Sequence, residues 1–137
     1  LSGLRLKVKE ELLDEARRRA RAGWEKEVVD GLIEQNQFEP PKSVIDGFLD
    51  ELDEKDSERA LWFAKRVILL EKLAEVLNIV VEEEDIERRV KRIADDLRGD
   101  HRKIRHKLEM SGRIEQVRSS IRREKVLDYL IEKARKR

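Results

Sequence analysis

The chain has 137 residues, 46% of them charged and 39% hydrophobic, with two prolines and no cysteine. Disulfides and thiolate metal sites are therefore excluded, and 32 Lys and Arg against 31 Asp and Glu give no global attraction to nucleic acid or anionic lipid. No apolar run approaches membrane-spanning length and the opening LSGLRLKVKE lacks a signal-peptide core, so the expected setting is the cytoplasm, with no membrane partner.

Helix-forming residues run from about 3 to 35 without a firm stop. Leu4, Val8, Leu12, Ala16, Ala20, Val28 and Leu32 read as an apolar stripe, with Trp24 beside it. Some 33 helical residues reach about 50 Å, whereas a compact domain of this size is only about 35–40 Å across. Part of the molecule is therefore expected to project, in keeping with an elongated shape and wide charged faces.

Asn36 suits the left-handed position after that helix, and Glu39 is pushed toward extended geometry by Pro40. Pro41 suits the first turn of a second helix predicted over about 41–54, which would bury Val44, Ile45, Phe48, Leu49 and Leu52. The polar run DELDEKDSER, 50–59, reads as a turn at the tip of a hairpin. Ser57 then caps a third helix to about 77, the most apolar of all: Leu61, Trp62 and Phe63 begin a run that continues through Val67 to Leu70, then Leu73, Val76 and Leu77. It is predicted to be the central strut.

NIVVEEED is a brief extended link whose acids fall where negative charge favours the start of the next helix. That fourth helix, about 83–97, carries Ile86, Val90, Ile93 and Leu97. Gly99 ends it, and Asp100 caps a short helix with Ile104 and Leu108. Residues SG at 111–112 precede a last helix over about 113–135. The predicted fold class is all-α, with six helices in one domain, 1–137.

Catalytic chemistry finds no support in these residues. No carboxylate stands alone on an apolar face, no glycine loop cradles a phosphate, and no Ser/His/Asp set is visible. His101 and His106 diverge on a helix, so no metal site is expected near Asp95, Asp96 and Asp100. No cofactor is expected either. The arginine-rich face at 17–21 is the candidate for nucleic acid, but Asp14 and Glu15 lie one turn before Arg18 and Arg19, where they neutralise it. Nucleic acid is therefore not the expected partner. The apolar residues near the helix ends, Trp62, Phe63, Ile104, Leu108 and Met110, either pack within hairpins or offer a binding surface for apolar chains.

The segments GLRLKVKEELL and GLIEQNQFEPPKSVIDGFLDEL, then KRVILLEKLAEVLNIVVEEEDIERRVKRIADDL, then SGRIEQVRSSIRREKVLDYLIEKA, resemble in order the C-terminal chaperone domain of bacterial trigger factor. The resemblance implies an elongated helical body with two projecting hairpin arms enclosing a cradle. The arms would be the tip of the first hairpin and the stretch 93–111. It implies an ATP-independent chaperone module for nascent or unfolded polypeptides, and inner-surface contacts at Leu49, Leu52, Leu61, Leu97, Ile104, Leu108 and Met110. No enzyme activity is expected of these residues. The family's ribosome-docking and peptidyl-prolyl isomerase domains have no counterpart in them, so the ribosome would be a partner only through a domain outside this chain. A weak homodimer through the cradle is expected. Two departures from the family pattern stand out: a short connection at the first arm, and Arg105 and Lys107 where relatives are more apolar. The alternative readings are a periplasmic chaperone with a related helical body, and a nucleic-acid-binding helical protein using the face from Arg17 to Arg21.

Overall fold

The structure is a computed structural model that describes residues 2–52 and 57–135. Six helices follow in order: α1 (Ser2–Gln35), α2 (Lys42–Leu52), α3 (Ser57–Val76), α4 (Glu83–Leu97), α5 (His101–Met110) and α6 (Ile114–Arg135). No strand occurs among the described residues, so the all-α prediction holds. Of the turn expected over 50–59, residues 50–52 belong to α2 and 57–59 to α3, while residues 53–56 and the side chain of Leu52 lie outside the described residues.

At 34 residues, α1 is about 51 Å long, and every side chain from 3 to 20 is exposed. The expected projection is thus the first half of α1. Its helicity is supported locally, by Glu15–Arg19 at 2.6 Å, Arg21–Glu25 at 3.0 Å and Lys26–Asp30 at 2.8 Å, all four residues apart. The expected apolar stripe is not a packed seam. Each step of four residues advances about 40° around a helix of 3.6 residues per turn, so a row from Leu4 to Leu32 winds through most of a circle. Only its end, Val28 and Leu32, meets the body, beside the buried Val29 and half-buried Ile33; Leu4, Val8 and Leu12 remain exposed.

Two apolar clusters make the core. The first joins Val29 of α1, Leu70 and Ala74 of α3, and Val126 and Leu127 of α6. The second joins Ile86 and Val90 of α4 to Ile121 of α6, with Ile104, Leu108, Ile114 and Val117 packed around them. The link between α3 and α4 spans both, because Ile79 packs on the first and Val81 on the second. The strut that unites the molecule is therefore α6, which meets α1, α3, α4 and α5. Helix α3 is contacted on more than one side as expected, by α1, α2 and α6, and among the described helices it is the one that carries α2. Its buried line is largely alanine, Ala60, Ala64 and Ala74 around Leu70, since small side chains allow neighbouring helices to approach closely.

The helix ends follow local chemistry. Asn36 does not adopt the expected left-handed conformation. Its side-chain Nδ2 donates to the Leu32 carbonyl at 2.9 Å, which satisfies an end carbonyl without a change of backbone hand. Among the described residues, Asn78 and Arg98 are the non-glycine residues with positive φ, both 54°. Each follows a helix whose last carbonyls are closed by paired bonds: Ile79 N to Ala74 O and Asn78 N to Glu75 O, then Gly99 N to Ala94 O and Arg98 N to Asp95 O. Pro41 sits one residue before α2, where its carbonyl accepts from the amides of Val44 and Ile45. As expected, Asp100 caps α5, accepting from the Arg102 amide at 2.9 Å.

Asp85 ties α4 to α6. Its carboxylate accepts from Lys125 Nζ at 2.6 Å and from the Glu82 amide at 2.8 Å, while Arg88 lies at 2.5 Å. Lys125 first, the Glu82 amide second and Arg88 after them hold this carboxyl down at about 2, below its ordinary 3.8. A depressed folded value stabilises the fold above the unfolded value, and that contribution disappears as pH falls from about 3.8 toward about 2. Asp85→Asn keeps an acceptor for the Glu82 amide but loses the charge. Urea midpoints measured across this window are expected to fall less steeply for the variant than for the native chain; parallel curves would show that Asp85 is not linked to folding.

Candidate functional site

A cleft of about 820 Å³ opens between α1 and α3 and is lined by Ala22, Glu25 and Lys26 on one side and Glu58, Arg59, Trp62, Phe63 and Arg66 on the other. Trp62 and Phe63 are there for a geometrical reason. Three large apolar residues in succession, Leu61, Trp62 and Phe63, span about 200° of a helix and so face different neighbours. Trp62 is turned toward α1 and held by its Nε1 donating to Asp30 Oδ1 at 2.7 Å. Lys26 first and Trp62 second lower the Asp30 carboxyl below its ordinary value, which keeps that acceptor ionised. Phe63 stacks on Phe48 of α2, with centroids 5.9 Å apart, and meets Trp62 edge-on at 5.0 Å. Arg59 lies over the Phe63 ring at 5.7 Å. Two aromatic side chains with fixed orientation thus floor a cleft whose rim is charged.

Leu61 faces away from this cleft into a second one, about 660 Å³, formed with Gln37, Phe38, Pro40 and Ile45 where α1 gives way to α2. Pro40 is buried and Phe38 half-buried, so the Pro–Pro break packs against the start of α3. Leu49 is half-buried on α2.

The remaining expected contacts divide. Leu97 and Met110 are 69% and 75% exposed. Ile104 and Leu108 are turned inward onto the second cluster, and Ile104 Cδ1 lies so close to Gly99 that a Cβ there would sit 3.0 Å from it. Arg105 ties α5 down: it bonds Glu83 and Glu87 of α4 and Glu109 of its own helix, the last at 2.8 Å. A charged residue in this short helix therefore fixes its position on α4. Of the expected contacts, Leu61 opens near the α1–α2 break, whereas Leu97 and Met110 belong to α4 and α5.

Residues that sequence reasoning passed over are Arg66 and the α1 wall of the first cleft. Burial lowers the Arg66 guanidinium from its ordinary value, Glu25 opposes that effect, and Arg123 adds to it. The arginine-rich face of α1 is largely engaged: Arg17 faces Asp14 at 3.8 Å, Arg19 bonds Glu15, and Arg21 bonds both Glu25 and, at 2.5 Å, Asp128 of α6. Among the described residues no group of His, Asp and Glu is arranged to hold a metal ion, and no helix is long and apolar enough to cross a membrane.

Comparison with known proteins gives this architecture a lineage. The family model described as bacterial trigger factor protein C-terminus matches residues 49–132, more than half of the chain. Similar proteins include the trigger factors of Koribacter versatilis, 26% identical over 93% of this chain and 35% of that protein, and Anaeromyxobacter dehalogenans, 26% identical over 95% and 36%. That of Halothermothrix orenii is 25% identical over 96% of this chain and 38% of its own length. The chain thus spans a little over a third of the relatives it matches. No solved structure gives a significant match. On the match across residues 49–132, the chain belongs to the family of bacterial trigger factor C-termini.

Proposed function

We propose that this chain is an ATP-independent chaperone module that binds nascent or unfolded polypeptides through scattered apolar surface and releases them for folding. The observation that carries the reading is the aromatic cleft. Trp62 and Phe63 are held in fixed orientation at the cleft by Asp30 and Phe48, and both remain half-buried there, Trp62 also packing against the first cluster. Apolar surface kept open in this way marks a binding site. Family membership supports the same reading, as do Leu97 and Met110, exposed at the ends of α4 and α5.

Leu61 and Leu49 would extend the contact along the α2–α3 hairpin, with Leu52 at its tip, and Leu97 and Met110 would supply the second arm. Ile104 and Leu108 would contribute by holding α5 in place, since both already pack on Ile86 and Val90. Each apolar contact would add roughly 1–2 kcal/mol through area removed from water. Several such contacts, spread out and rimmed by charge, give broad selectivity and ready release. The same apolar surface would support a weak homodimer at high concentration. The paired acids on the 17–21 face give no comparable support to nucleic-acid binding.

The chain is expected to slow the aggregation of a denatured test protein, and unfolded peptides are expected to shift the fluorescence of its tryptophans. Replacing Leu97 and Met110 together by serine changes only exposed positions and should leave the melting temperature unchanged. It should weaken capture by about tenfold, the equivalent of about 1.4 kcal/mol. If the native chain neither delays aggregation nor responds to unfolded peptides, the proposal is wrong.

A further inference from the structure

The aromatic cleft has an unbalanced charge. Its walls carry two acids, Glu25 and Glu58, and three bases, Lys26, Arg59 and Arg66. Most of these are engaged elsewhere. Lys26 Nζ is held by Asp30 at 2.8 Å, and Glu25 accepts from Arg21 at 3.0 Å. Arg59 lies over Phe63. Arg66 differs: it is half-buried, and no ion pair or hydrogen bond joins its side chain to any described residue.

The surroundings of Arg66 offer little compensation within the protein. The nearby Glu25 is turned toward Arg21. On α6, Arg122 and Arg123 share the carboxylate of Glu71, at 3.3 and 3.1 Å, so that acid is already engaged. Arg123 instead adds a positive charge that acts against Arg66. A guanidinium removed from water without a partner is costly, and its planar fork is matched best by a carboxylate. A ligand that brings a carboxylate to this point supplies what the fold withholds.

We propose that Arg66, beside Trp62 and Phe63, forms a carboxylate-reading subsite that selects unfolded segments in which an Asp or Glu side chain stands next to a large apolar residue. This rests on the polypeptide-binding reading and gives it a substrate class. The aromatic rings take the apolar side chain and the guanidinium takes its acidic neighbour. Polypeptide fits better than nucleic acid, because Glu25 and Glu58 lie in the same walls and repel a continuous phosphodiester, whose affinity comes from many neutralised phosphates. A single carboxylate next to an apolar group meets one cation and two rings.

The test uses the full chain and two short peptides blocked at both ends, identical except that a Phe is followed by Glu in one and by Gln in the other. Affinities are read by tryptophan fluorescence and calorimetry. The Glu peptide is expected to bind about five- to tenfold more tightly, as a charge-assisted hydrogen bond would give. Arg66→Gln should remove that preference while leaving the affinity for the Gln peptide unchanged. The variant is expected to fold, because the charge it removes has no ion-pair partner among the described residues. Arg66→Lys, which keeps the charge but lacks the fork, should restore the preference only in part. Equal affinities for the two peptides in the native chain, or a preference that survives Arg66→Gln, would overturn the subsite and leave polypeptide binding standing. Tighter binding of a single-stranded oligonucleotide than of either peptide would overturn it in favour of phosphate recognition. Binding of neither peptide would remove both the subsite and the polypeptide-binding reading.

Discussion

Leu127→Ala is expected to destabilise the chain by about 3 kcal/mol, within the range for emptying a buried leucine site. Leu127 is 1% exposed and lies where α1, α3 and α6 converge on Val29, Leu70 and Ala74. The cavity would be hard to fill. The neighbours on α3 and α1 are held at their own depth by further contacts, and Ala74 is too small to move into the space. With total stabilities of about 5–15 kcal/mol for ordinary domains, the loss takes a large share. Roughly 10 °C of melting temperature should go with it. Leu127→Met, which nearly conserves volume, should cost less than about 1.5 kcal/mol.

The manner of unfolding should be as informative as the midpoint. The first half of α1 is exposed along its length, so its helicity rests on its own side-chain pairs and on attachment through Val28, Val29, Leu32 and Ile33. Loss of the first cluster therefore releases α1 as a long, partly helical rod. The far-ultraviolet signal should decline less than the tryptophan signal, since Trp24 is stacked under Arg135 at 4.8 Å and Trp62 is bonded to Asp30. A melting temperature within a degree or two of the native value would show that α6 is not the joint inferred here.

Much of this fold was legible because its boundaries rest on local chemistry. The α4 limits, 83 and 97, follow from the acids Glu82 to Asp85 at one end and Gly99 at the other, both of which act within a single turn. Asp100 behaves as expected for the same reason. What depends on tertiary packing was read less well. The row from Leu4 to Leu32 has the right spacing, but winding around α1 takes most of it away from the body. Alanines 60, 64 and 74 looked unremarkable and line the most buried side of α3. Left-handed conformations fell on Asn78 and Arg98 instead of Asn36, because the Asn36 side chain reaches the last-turn carbonyl itself.

The candidate site was legible only in its residue types. Trp62 and Phe63 stand out in a chain with six aromatic residues, yet nothing in their spacing says that α1 leaves them only half-buried. Arg66 carried no signal at all, since one arginine among 32 basic residues becomes distinctive only when its neighbours prove to be engaged with others. Arg105 shows the reverse. A cation in the short helix suggested a surface poorly suited to apolar ligands, but Glu83, Glu87 and Glu109 use it to fasten α5 to α4.

Separate clusters predict separate unfolding. Ile86 is 1% exposed and, with Val90 and Ile121, is the centre of the second cluster, which shares no side chain with the first. Ile86→Ala is expected to cost about 3 kcal/mol, borne by α4 and α5. Hydrogen exchange should therefore quicken about a hundredfold in α4 and α5, while amides of α3 and the second half of α6 keep most of their protection. The polar ties across the joint, Arg89 to Glu124 and Asp85 to Lys125, lie partly at the surface and should not compensate for the lost packing. Because the aromatic cleft belongs to α1 and α3, binding of peptides there should survive the substitution, whereas any contribution from Leu97 and Met110 should be lost as α4 and α5 loosen. The same variant thus divides the proposed binding surface into its two parts. A uniform quickening across all six helices would instead show one cooperative unit, in which α6 transmits the loss from Ile121 to Leu127.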